Sequence, residues 1–121
     1  MFQSVAEKLC IASTQAEFEG RLDDAYTLSM QAWAASNDDY DACISAHYVA
    51  RYQKSPEEIL HWNLESLARA NLVKDERVQS FYASLYVNLG YAYETLGKLE
   101  ESEHFYKLAA DLGIVHQKKK G

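Results

Sequence analysis

Apolar and small residues recur at helical spacing along the chain, in stretches parted by short polar breaks. Val5, Leu9, Ala12 and Ala16 share one face that stops at Gly20, and Leu22, Ala25, Leu28, Ala32 and Trp33 line the next stretch. Asp23 and Asp24 stand near the start of that second stretch, where the helix dipole favours negative charge. The polar run Ser36-Asn37-Asp38-Asp39 can cap a third helix through Tyr40, Cys43, Ile44, Ala46, His47, Ala50 and Arg51. Ser55-Pro56-Glu57-Glu58 then has the form of a capping box with Pro in the first turn, followed by Ile59, Leu60, Leu64, Leu67 and Ala68. Asn71 to Ser80 holds no Gly or Pro, and Val78, Phe81, Tyr82 and Leu85 keep helical spacing, so the next break falls near Lys74-Asp75. The pattern predicts six helices, at about 2–18, 21–36, 39–53, 56–72, 76–96 and 99–112.

The last two stretches read as a helical hairpin. Leu85, Tyr86, Leu89 and Tyr93 precede Leu96-Gly97-Lys98, and Leu99, Ser102, Tyr106 and Ala109 follow it. Gly90, Ser102 and Ala109 are small where two helices must approach closely; a Gly inside a helix costs roughly 1 kcal/mol against Ala, so Gly90 needs such a reason. Tyr86, Leu89-Gly90, Tyr93, Tyr106 and Ala109 resemble the tetratricopeptide repeat, a unit of about 34 residues, with Ser102 in place of the usual Ala and Ile114 in place of a common Pro. Aligning Gly20 with Gly97 sets Leu9, Ala12, Ser13, Ala16, Ala25, Ser29 and Ala32 on the same key positions. Lys54 falls 34 residues after Gly20, whereas Gly97 falls 43 after Lys54, and the nine extra residues are assigned to an extended first helix of the third repeat.

The resemblance is to the small, stand-alone, bacterial-type members of the family. It implies an all-α, right-handed superhelix of three hairpins in one domain, residues 1–114, with repeats at about 6–39, 40–74 and 76–114 and a polar basic tail at 115–121. Composition agrees with the class: 121 residues with 48% hydrophobic content suffice for one core, and one Pro with five Gly leaves little for the turns of a many-stranded sheet. Carboxylates outnumber basic residues 18 to 12, which argues against a nucleic-acid partner. Lys118 to Lys120, the one basic run, reads as a solvated tail. No segment resembles a membrane span or leader, and two cysteines suggest reduced thiols rather than a disulfide framework, so a soluble, cytoplasmic protein is expected.

The family's first helices line a groove that takes peptides or helices. Carried over, the groove presents Glu7, Cys10, Thr14 and Glu17; Asp41, Ile44, Ser45, Tyr48, Arg51 and Tyr52; and Ser84, Val87, Asn88, Tyr91 and Glu94. Tyr48, Tyr52 and Tyr91 are the expected anchors, since tyrosine joins apolar area to a polar tip. The family branch that grips a C-terminal carboxylate does so with Lys, Asn and Arg; here Cys10, Thr14, Ser45, Ser84 and Asn88 stand at those places, without a cation. A non-catalytic module for a neutral or mildly basic protein segment is the expected function, with Arg51 flanked by Glu17 and Glu94. The alternative is a self-associating piece, a homodimer through the C-terminal repeat, because Phe105, Leu108 and Leu112 lack the extra helix that usually covers the last repeat.

A metal or enzymatic role ranks third. Cys43 and His47, four apart, share a helical face with no two further ligands evident and read as a packed Cys beside a core His. His61, His104 and His116 are scattered, no nucleophile has an assigned base, and neither cofactor nor metal is expected. Trp33 is expected between repeats one and two, and Trp62 against Val78 and Tyr82.

Overall fold

The computed structural model describes residues 3–113. The tail at 115–121, Ile114 and the first residue of the expected opening helix, Phe2, lie outside the described residues. Among the described residues six α-helices form: α1 Val5–Phe18, α2 Leu22–Ala34, α3 Asp39–Arg51, α4 Pro56–Ala70, α5 Tyr82–Thr95 and α6 Leu99–Asp111. Among the described residues there is no strand, and no helix is long and apolar enough to cross a membrane.

Local chemistry sets the ends. Ser4 caps α1 through a reciprocal box: its hydroxyl accepts from Glu7 N at 3.0 Å, and its own N–H donates to Glu7 Oε1 at 2.9 Å. At α4 only half of the expected box forms, Ser55 Oγ accepting from Glu58 N at 3.0 Å. Gly20 and Gly97 hold φ of 82° and 77°. After α1, Gly20 N donates to Glu17 O and Arg21 N to Ala16 O; after α5, Gly97 N donates to Glu94 O and Lys98 N to Tyr93 O. Both are Schellman endings, which require the left-handed conformation that only Gly adopts cheaply.

The expected long helix at 76–96 is corrected. Glu76–Phe81 is a 3-10 helix that runs into α5, leaving α5 at 14 residues, the length of α1. In a 3-10 turn residues three apart eclipse, so Val78 and Phe81 face one way. Val78 is fully buried with Cys43, Ala70 and Leu85, and Phe81 packs against the same cluster.

The helices pack as consecutive pairs, α1 with α2, α3 with α4, α5 with α6, and the pairs are joined by α2 on α3, α4 on α5 and α1 on α3. None can bury its apolar stripe alone. The first two pairs approach through small side chains, Ala16, Ala25, Ala32, Ala46, Ser13 and Ser29 being fully buried, while Leu85 and Leu89 fill the third. Trp33 meets Trp62 edge to face with ring centroids 5.1 Å apart, so Trp62 joins α4 to α2 instead of lying on Val78 and Tyr82. Arg69 covers the other ring from 5.4 Å.

Gly90 has a packing reason for its cost, and it is the ring of Tyr106 rather than the backbone of α6. A Cβ there would stand 2.6 Å from Cδ1 and Cε1 of Tyr106, whose hydroxyl donates to Glu94 Oε1 at 2.9 Å, and Ser102 Oγ donates to Gly90 O at 2.8 Å. The ring is held at its far end and cannot swing aside freely. Gly90→Ala should therefore destabilise: an overpacking cost of about 1–3 kcal/mol exceeds the roughly 1 kcal/mol gained in helix propensity. Urea denaturation measures the net loss, and Tyr106→Leu in the same chain should recover much of it.

Candidate functional site

On α3 the residues Ala42, Cys43, Ala46, Val49 and Ala50 are buried, which leaves Ile44, His47, Tyr48 and Arg51 on the flanks of the helix. On α5 Leu85 and Leu89 point inward, so Ser84, Asn88 and Tyr91, one turn apart, share the neighbouring face. The two flanks meet where Asn88 Nδ2 donates to His47 Nδ1 at 3.3 Å. His47 also lies edge-on to Phe81, with centroids 5.0 Å apart. Burial, and then the positive charge of Arg51, lower the His47 pKa to about 4, so the imidazole is neutral at physiological pH. With Nδ1 accepting, the ring proton resides on Nε2.

Arg51 ties α3 to α1. Its Nε donates to Glu17 Oε1 at 2.7 Å and its Nη2 to Glu17 Oε2 at 3.0 Å, a two-pronged pair. Tyr52 Oη donates to the same carboxylate at 2.9 Å and accepts from Ser13 Oγ at 3.2 Å. These bonds, above all that from Arg51, hold the Glu17 carboxyl below its ordinary range, and burial raises the Tyr52 phenol. Two clefts flank this network. One, of about 720 Å³, lies towards the helix turns and includes Leu22, Tyr26, Lys54 and Glu58. The other, of about 290 Å³, lies between α3, α4 and α5 and is lined by His47, Ala50, Arg51, Ile59, Asn63, Asn88 and Tyr91.

Of the expected groove residues, Arg51, Asn88 and Tyr91 thus converge, with Glu17 and Tyr52 alongside; Tyr91 is 60% exposed. Thr14 and Ser84 are exposed but line neither cleft. Ser45 is not a groove residue: it is fully buried, its hydroxyl 3.2 Å from Ser36 Oγ and 3.9 Å from Cys10 Sγ. Cys10 and Asp41 are buried as well, Asp41 accepting from Ser4 Oγ at 2.9 Å. The cause is common to all three: α1 packs on α3 closely enough to close that stretch over small side chains. Tyr48 and Ile44 pack on Ala6, Cys10 and Ala32, so Tyr48 is a half-buried prop of α1 rather than an anchor. The Glu94 carboxylate accepts from Tyr106 Oη at 2.9 Å.

The C-terminal patch is likewise altered. Phe105 stacks on Tyr93, with centroids 5.7 Å apart and planes 7° from parallel, and lies 6.1 Å from Tyr86. Phe105 and Leu108 are half-buried, leaving Leu112 exposed at 54%. Larger apolar exposure sits at the opposite end, at Val5, Ile11 and Phe18 of α1 and Leu22 of α2.

Scans against family models, curated proteins and solved structures match nothing. Both thiols are buried and pushed up to about 11, mainly by burial, so they are protonated and poor nucleophiles. Cys43 Sγ sits 3.6 Å from Ser66 Oγ. Among the described residues no three His, Cys, Asp or Glu side chains are arranged to hold a metal ion. Asn63 escaped the sequence reading, although its register held a signal. It falls four residues after Ile59 and four before Leu67, on the inward stripe of α4, where a polar residue needs an explanation.

Proposed function

We propose that this chain is a non-catalytic protein-interaction module of the tetratricopeptide-repeat kind, a right-handed superhelix of three hairpins. It binds a peptide or helix of a partner protein across α3 and α5, in the cytoplasm. One observation carries the reading: Arg51 and Tyr91, forty residues apart in the chain, line one open cleft with Asn88, and Tyr91 keeps most of its surface in solvent. An exposed tyrosine beside fixed polar groups is the composition that protein recognition favours. The succession of three packed helix pairs supports the architecture.

The test is a displayed library of random peptides selected on the intact chain. Peptides recovered on the wild type should lose roughly tenfold or more in affinity on Tyr91→Ala, the effect of a typical hot-spot truncation, without loss of thermal stability. Peptides that bind Tyr91→Ala as well as the wild type would count against this groove. Self-association, the second reading, draws on the exposed Leu112 and on the apolar face of α1. Light scattering across a concentration series, with Leu112→Asp and Phe18→Asp separately, tests which end is used. A monomer at every concentration removes the idea.

A further inference from the structure

Lys8, Ile11, Gln15 and Phe18 fall three or four residues apart and are all exposed, so they form one stripe on the side of α1 turned away from its buried Ala6, Cys10, Ser13 and Ala16. Phe18 is 86% exposed, the most of any large hydrophobic side chain among the described residues, and Ile11, seven residues before it, is 52% exposed. Two large apolar residues one heptad apart are what a helix presents to another helix. Ser45 and Tyr52 stand 34 residues after Ile11 and Phe18, on the matching side of α3, and there the side is occupied by α1. Cys10 Sγ lies 3.9 Å from Ser45 Oγ, and Ser13 Oγ donates to Tyr52 Oη at 3.2 Å. α1 thus offers to solvent the side on which α3 receives a helix.

The arrangement of charge along the stripe selects the occupant. At 100° per residue, Ile11 and Phe18 lie along one edge, and Lys8 and Gln15, with Glu19 beside them, along the other. A second copy related by a twofold axis perpendicular to α1 runs antiparallel and sets each edge on its own counterpart, Ile11 against Phe18 of the second copy and Lys8 against Glu19 of the second copy. The midpoints of these two pairings fall on either side of Thr14 and differ by one residue, about 1.5 Å of helix rise, so a single axis serves both. A parallel copy would instead set Lys8 on Lys8 and Glu19 on Glu19, which repel. Lys8 has no carboxylate partner among the described residues. Glu19 accepts from Gln15 and Arg21, yet its side chain is 46% exposed and its oxygens keep lone pairs for a further donor.

We propose that α1 is a docking surface for a second copy of this chain. The two α1 helices lie antiparallel about a twofold axis, with Ile11 and Phe18 as the apolar seam and Lys8 of each copy paired with Glu19 of the other. The pairing deepens the self-association reading above and rests on it.

Sedimentation equilibrium of the full chain over a concentration series reads the dimer constant. Phe18→Asp, at a position exposed enough to leave the fold intact by circular dichroism, should weaken the dimer roughly tenfold or more, whereas Leu112→Asp should leave it unchanged. Lys8→Glu and Glu19→Lys should each weaken it by about threefold or more, since both ion pairs of the dimer become repulsive, and the two variants mixed in equal amounts should form a mixed dimer at least as tight as that of the wild type. A monomer at every concentration removes self-association and this pairing together. A dimer that survives Phe18→Asp and is broken by Leu112→Asp overturns α1 as the surface while self-association stands. A dimer lost in Phe18→Asp but indifferent to both charge reversals overturns the antiparallel arrangement.

Discussion

Leu85→Ala is expected to be among the most damaging single substitutions in this chain, lowering stability by about 2–5 kcal/mol. Leu85 is fully buried where α5 meets the cluster of Cys43, Ala70 and Val78, and Val78 arrives there on a 3-10 turn with limited freedom to follow a retreating neighbour. The site should collapse poorly, so a cavity cost adds to the lost transfer energy. Against a total stability of roughly 5–15 kcal/mol for a domain of this kind, that is a large fraction. Leu99→Ala is the matched control: at 61% exposure it removes the same atoms from water-facing surface and should change stability by about 0.5 kcal/mol or less. Urea midpoints for the two variants measure the difference, and a Leu85→Ala loss no greater than that of Leu99→Ala would contradict the packing described for α5.

Stability should also fall on acidification before the carboxylates titrate. The His47 pKa is lowered to about 4 in the folded chain, whereas the unfolded chain binds the proton near 6.5. Between those values the unfolded state holds more protons than the folded one. The contribution is therefore complete above pH 6.5, declines as pH falls towards 4, and is gone below it. Two and a half pKa units correspond to about 3 kcal/mol, reduced towards 2 by solvent at the uncovered edge of the ring. Unfolding free energies measured from pH 7.5 to 4 should show this slope, and His47→Phe should flatten it. Glu17, whose carboxyl is held low chiefly by its bonds from Arg51, loses its share only at lower pH, as the carboxylate itself takes up a proton. A slope unchanged in His47→Phe would assign the pH dependence to other groups.

How far each expectation carried depended on the range of the interaction behind it. Helix ends were legible because caps are local: Gly20, Gly97 and Ser55 each act within a few residues of themselves. The nine extra residues before Gly97 were counted correctly and assigned wrongly, because Val78, Phe81, Tyr82 and Leu85 satisfy a 3-10 turn followed by an α-helix as well as one long helix. Exposure failed where it depended on a second element. Ser45 and Tyr48 look like groove residues on α3 alone, until α1 closes over them. Phe105 stands outside the inward stripe of α6 by spacing, yet the rings of Tyr86 and Tyr93 reach it from α5.

The amino-acid order by itself determined that the chain is helical, where its turns fall, and that Gly90 sits at a close approach of two helices, since propensity, capping and periodicity act over a single turn or two. Only the tertiary packing decided that Glu17 finds Arg51, that Asn88 finds His47, and that Asn63 Oδ1 is left without a donor. Those pairings join residues 34 and 41 positions apart, and ångström differences in helix placement, which no local pattern encodes, decide whether they form.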